Sequence, residues 1–160
     1  RQAYGDSEMT FSIATLAESL ASHLAPVLPG VTFYEDPNQQ GTECPAMFLQ
    51  LMSSDVSLRM SGRILRTLRL DLTYLEDYNQ PDLQRRYQEA SEILDLNLET
   101  FEYSDGEDTA VIRTYNRQAA IDLDALHYKF DIQVWLDWEE DRNFMQSCEL
   151  TLEVTYGAED

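Results

Sequence analysis

The hydrophobic period changes once inside "ILRTLRLDLTYLEDYNQPDLQRRYQEASEIL", residues 64–94, and that change limits what the chain can fold into. Ile64, Leu68, Leu70, Leu72 and Tyr74 fall on alternate positions with Arg69, Asp71 and Thr73 between them, the period of a strand. After Asn79-Gln80-Pro81 the apolar residues recur as Leu83, Tyr87, Ala90 and Leu94, the spacing of an amphipathic helix. Pro81 suits the first turn of that helix, where a missing N–H leaves nothing unpaired. A strand therefore feeds a helix that runs to about Leu96.

The flanking segments supply further elements. Thr10 or Ser12 can cap a helix whose apolar face is Ile13, Leu16, Leu20, Leu24 and Val27 or Leu28, ended by Pro26 and Pro29-Gly30. "VTFYED" from Val31 reads as a short strand. "AMFLQLMSS", residues 46–54, reads as a central strand covered on both faces, and Gly62 as a hairpin turn. Beyond the second helix come "TFEYS" from Thr100, a turn at "SDGED", and a long, partly irregular strand over residues 109–123. "LHYKFDIQVWLDW" then alternates Leu126, Tyr128, Phe130, Ile132, Val134, Leu136 and Trp138 with mostly polar residues. Leu150, Leu152, Val154 and Tyr156 make a last alternating run. The order α-β-β-β-α-β-β-β predicts an α+β fold, an antiparallel or mixed β-sheet packed by two helices.

The 160 residues suffice for one domain with a real core, and 43% hydrophobic residues argue against disorder. Residues 1–8 are polar and read as a leader or cloning remnant before Met9, residues 9–142 as a single domain, and 143–160 as a C-terminal extension with a further strand. No stretch reaches the roughly 20 apolar residues of a membrane span, so a soluble, cytoplasmic product is expected. Cys44 and Cys148 stand alone and are expected as free thiols.

Thirty acidic residues against eleven basic ones give a formal net charge of −19. Such a surface repels phosphate backbones, so specific nucleic-acid binding is not expected. Ten of the eleven basic residues are arginine, the exception being Lys129. Arginine is the cation favoured at protein interfaces, which hints at assembly.

A search for chemistry returns little. His23 and His127 are the only histidines, one beside core positions of a helix and one on the polar face of a strand. There is no HExxH, no GxSxG and no phosphate-cradling glycine loop. Neither a catalytic group nor a metal or cofactor is expected. Arg59, Arg63, Arg66 and Arg69 cluster around the Gly62 hairpin of an otherwise acidic chain. They read either as unrelated surface ion pairs or as a basic patch that meets the acidic face of an identical neighbour.

Three segments, "TLAESLASHLAPVLPGVTFYEDPNQQGTECPAMFLQLM", "RILRTLRLDLTYLEDYNQPDLQRRYQEASEIL" and "ALHYKFDIQVWLDWEED", resemble a family of tail-terminator-like proteins of phages and prophages of Gram-positive bacteria. The resemblance covers residues 9 to about 141 and carries no catalytic signature. It implies a structural subunit that assembles, usually as a hexameric ring, on the head-proximal end of the tail tube and stops polymerisation there. In contractile tails, including headless phage-derived particles, such a ring also meets the sheath and the neck or connector proteins. The subunit would be made in the host cytoplasm and end in the particle, and free subunits could be monomers. Subunit contacts are placed on Arg59, Arg63, Arg66 and Arg69 and on Glu149 and Glu153 of the last alternating run. Where a head exists, an acidic lumen would let DNA slide through. A head–tail connector is the alternative within that setting; a small acidic inhibitor that mimics nucleic acid is the alternative from another class.

Overall fold

Ser12 sets the start of the first helix, α1 (Ile13–Leu24), because its hydroxyl accepts the Thr15 N–H at 3.1 Å and satisfies one orphan donor of the first turn. The computed structural model describes residues 11–35, 42–122 and 124–137. After α1 come β1 (Thr32–Tyr34), β2 (Ala46–Met60) and β3 (Arg63–Leu75), then α2 (Leu83–Asn97), and then β4 (Thr100–Ser104), β5 (Thr109–Ile121) and β6 (Leu126–Asp137). This is the α+β arrangement that the periodicities predict.

The strands form one mixed sheet in the order β1-β2-β3-β6-β5-β4. β1 runs parallel to β2, with Thr32 opposite Ala46, whereas β4, β5 and β6 pair antiparallel. Ser61 and Gly62 join β2 to β3 with φ of 53° and 75°. Two consecutive positive φ values match the twist of the flanking strands, which makes this a tight two-residue hairpin.

Leu16, Leu20 and Leu24 of α1 and Tyr87, Ala90 and Leu94 of α2 are buried, as are Leu68, Leu70, Leu72 and Tyr74 of β3 and Leu126, Tyr128, Phe130 and Ile132 of β6. The apolar stripe of each helix thus closes over the apolar face of the sheet, and burial of that area drives the packing. Phe101 and Tyr103 extend the core into β4, where Tyr103 stacks on Phe11 at 5.5 Å between ring centroids. α1 also holds β4 by its edge: the Ser19 hydroxyl donates to the Ser104 carbonyl (3.3 Å) and accepts the Ser104 N–H (3.1 Å). One serine side chain therefore stands in for a neighbouring strand.

Two local expectations are corrected. β2 is covered on both faces only at Ala46, Met47 and Phe48; from Leu51 to Ser57 every residue is exposed. The strand continues through Ser53-Ser54-Asp55, where apolar burial no longer supports it. The second helix starts at Leu83, leaving Pro81 before it. Asp77 takes the Asn79 N–H on its carboxylate and the Gln80 N–H on its carbonyl, a turn that precedes the helix. Asp82 sits in the left-handed region at φ 61°, and its carbonyl accepts the first helical bond, from Arg86.

The chain divides into two compact units. Among the described residues the larger comprises 11–54 and 68–133, the smaller 55–67 and 134–137. All the core residues named above belong to the larger unit.

Candidate functional site

The smaller unit exposes apolar side chains beside a basic one. It carries the hairpin turn at Ser61-Gly62, and Val56, Met60 and Trp135 are 53%, 58% and 43% exposed. Val56 and Met60 are four residues apart on one strand and so share a face. Met60 and Arg63 flank a two-residue turn, which puts them opposite one another on that same face. The Arg63 guanidinium lies over the Trp135 ring, 4.9 Å from its centroid. Such a stack contributes about 0.5–1 kcal/mol at an exposed site and fixes where the cation sits. The Ser57 hydroxyl donates to the Leu65 carbonyl at 3.4 Å, a weak tie between the two strands.

Of the arginines placed there from the sequence, Arg63 and Arg66 are half-buried residues of β3, and strand alternation turns Arg66 to the face opposite Arg63. The side chain of Arg59 lies outside the described residues, as do Glu149 and Glu153 and the whole C-terminal run. Arg69 belongs to the larger unit and is engaged within it. Its Nη1 donates to Asp131 Oδ1 at 2.9 Å and approaches the Asn116 carbonyl at 3.5 Å. Asn116 Nδ2 donates to the other Asp131 oxygen at 2.8 Å. These three residues bracket a β-bulge, because β5 advances from Tyr115 to Gln118 while β6 moves only from Asp131 to Lys129. Asn116 absorbs the extra residue with φ 53°, which asparagine tolerates better than most side chains.

A second polar cluster merits a chemical test. Asp71 is 4% exposed, and its Oδ2 stands 3.0 Å from Nδ1 of His127. Thr73 Oγ1 donates to Asp71 Oδ1 (3.3 Å) and lies 3.4 Å from the same His127 nitrogen, while Asp122 Oδ2 is 3.4 Å from Nε2. A nucleophile–base–carboxylate relay needs the hydroxyl and the carboxylate on opposite ring nitrogens. Here Thr73 and Asp71 share Nδ1, so the cluster satisfies a buried carboxylate and does not activate a hydroxyl. The alternation puts Asp71 between the apolar positions of β3; Thr73 of the same strand and His127 of the neighbouring β6 are what cover it.

Other reactive groups are equally quiet. His23 Nε2 donates to the Asn97 carbonyl at 2.6 Å, tying α1 to the end of α2. Cys44 is an exposed free thiol, and desolvation, then the charges of Asp77 and Glu76, push its pKa up, away from the reactive thiolate; Cys148 lies outside the described residues. No three His, Cys, Asp or Glu side chains among the described residues could hold a metal ion together. No helix among them is long and apolar enough to cross a membrane.

A sheet backed by two helices, with a basic and apolar hairpin and polar clusters that serve packing, is the layout of a protein that works by contact. The comparison with known families specifies which kind: a model of the phage tail terminator protein family matches residues 15–145. That match covers most of the chain, which therefore belongs to this family and has its structural, tail-terminating role. No curated protein matches the chain.

Proposed function

We propose that copies of this chain assemble as a ring, six in number, on the head-proximal end of a tail tube and end its polymerisation there. The observation that carries the reading is the family match together with the smaller unit, where Val56, Met60 and Trp135 are exposed and Arg63 is held over the Trp135 ring. Aromatic and arginine side chains grouped in this way are the usual anchors of protein–protein contacts. Arg59, Arg63, Arg66 and Arg69 supply the basic side of the subunit interface and Glu149 and Glu153 an acidic side; Arg69 also pairs with Asp131 of its own chain. The partners are further copies, the tail tube, and in a contractile tail the last sheath ring and the neck. The subunit joins the tail in the host cytoplasm and remains in the particle.

The reading is tested by tail-tube assembly with and without the purified chain, with tube lengths measured by electron microscopy. Tubes should stop growing and carry a ring at one end when the chain is present. A length distribution that does not change would refute the role.

A further inference from the structure

The ring reading needs an acceptor for the hairpin, and a groove in the larger unit has the matching chemistry. It lies between α1 and the edge of β4, encloses about 400 Å³, and is lined by Glu18, Ser19, Ser22, His23, Glu102, Ser104 and Gly106. Glu18 and Glu102 are exposed at its two walls. The main chain contributes as well. Thr114 donates to the Glu99 carbonyl and Asp105 to the Asp108 carbonyl, so the odd-numbered residues here bond inward to β5. Ser104 turns outward to Ser19, and by the same alternation Glu102 directs its N–H and C=O toward the groove. Beside it, Asp105 accepts the Asp108 and Glu107 N–H groups at 2.9 and 3.0 Å. Those bonds hold the Asp105 pKa below the ordinary carboxylate value, so this neighbour of the groove stays ionised at neutral pH.

The hairpin is the electrostatic opposite of this groove. Residues 55–67 contain three arginines and one aspartate, in a chain whose net charge is −19. Most protein surfaces carry both signs interspersed; here the Arg63 cation is fixed beside the Ser61-Gly62 turn, on the face that also exposes Met60 and Val56. The groove has room for a few side chains, which suits a two-residue turn and its flanks better than a helix.

We propose that the β2–β3 turn of one copy, through Met60 and Arg63, seats in the α1–β4 groove of a second copy, with Arg63 facing Glu102 and Glu18. The assignment rests on the ring reading and names its contact. The two surfaces are different patches of the same chain, so the contact is head-to-tail and propagates from copy to copy until the rotation closes. It also explains why the groove is walled by glutamates and keeps a strand edge within reach.

The test is a charge-reversal pair read by sedimentation of the free chain across a concentration series. Arg63→Glu alone and Glu102→Arg alone should each weaken self-association by roughly tenfold or more, because each sets like charges against one another. Mixing the two variants in equal amounts should restore it, since each reversed hairpin then finds a reversed groove. Circular dichroism of each variant checks folding, and Glu18→Arg, on an exposed helix position, serves as a second acceptor variant. Unchanged association in the single variants, a defect that mixing does not repair, or a wild-type chain that remains monomeric throughout would each overturn the proposal. The capping role is judged separately on tube lengths, so ends that the reversal variants still cap would reject this contact and leave the role standing.

Discussion

Tyr87→Phe removes one oxygen atom from a core side chain that makes two hydrogen bonds and a ring contact. Tyr87 is 1% exposed and meets Tyr74 edge-to-face, with centroids 5.9 Å apart and planes at 82°. Its hydroxyl accepts the Glu76 N–H at 3.1 Å, just past the end of β3, and donates to the Asp124 carbonyl at 2.9 Å, in the turn before β6. One phenol on α2 thus ties down two separate chain segments. Phenylalanine keeps the ring contact and loses both bonds. Each is worth about 0.5–1.5 kcal/mol net, and a partner left dry would cost about 1–3 kcal/mol. Asp124 is exposed and Glu76 half-buried, so water reaches both orphaned groups and the lower figures apply. The expected cost is about 1–2 kcal/mol, a fall in Tm of roughly 3–6 °C for a chain of this size. Tyr87→Leu also gives up the aromatic contact and leaves space, and should cost at least about 1 kcal/mol more. Urea unfolding with an unchanged slope measures both. If the phenylalanine variant matched the wild type, or if both variants lost the same amount, the hydroxyl would not be the tie described here.

Further outcomes follow from the same geometry. Burial first, and for Tyr74 and Tyr128 a hydrogen bond donated to Glu76 and to Asp95, raise the pKa of Tyr74, Tyr87 and Tyr128 above the ordinary value of 10.0. The fold holds these protons more tightly than the unfolded chain does, so their contribution is intact below about pH 10 and is lost as pH rises beyond it; phenols that all ionise near pH 10 without loss of stability would contradict this. Asn116→Ala loses the bond to Asp131 and the left-handed preference and should cost about 1–2 kcal/mol, whereas Asn116→Gly keeps the backbone and should cost less. A reversed ranking in urea would remove the bulge argument. Ser19→Ala frees the N–H and C=O of Ser104, and the Ser104 amide should then exchange with solvent faster than its neighbours in β4; an unaltered rate would mean that Ser19 does not close that edge.

The period change at Asn79-Gln80-Pro81 was enough to place β3 and α2, because alternation and the three-to-four spacing are properties of one segment at a time. The start of α2 was less legible: Asp77 binds two later N–H groups, and that local competition moved the start from Pro81 to Leu83. Asp71 illustrates a deeper limit. Flanked by Leu70 and Leu72 it has the pattern of a solvated position, and only the pairing of β3 with β6 brings His127 over it. The bulge gave a partial signal, an irregular stretch around an asparagine, while its partner Arg69 read as a surface cation until Asp131 was placed beside it. The groove between α1 and β4 had no signature at all, since Glu18 and Glu102 are 84 residues apart and share a site only because Ser19 binds Ser104.

The extent of β2 bears most directly on function. Fixing the backbone of one residue costs about 1–2 kcal/mol, and a strand usually recovers this by burying a face. From Leu51 to Ser57 neither face is covered among the described residues, although Leu51, Met52 and Val56 would each release water on contact. "LMSSDVS" therefore holds a strand conformation on its main-chain pairing with β3, with its apolar side chains left in solvent. A free monomer gains little from extending the hairpin this far. On the proposed ring reading, a surface of a second copy laid against this strand would recover the missing burial, and Arg63 beside it would favour an acidic one.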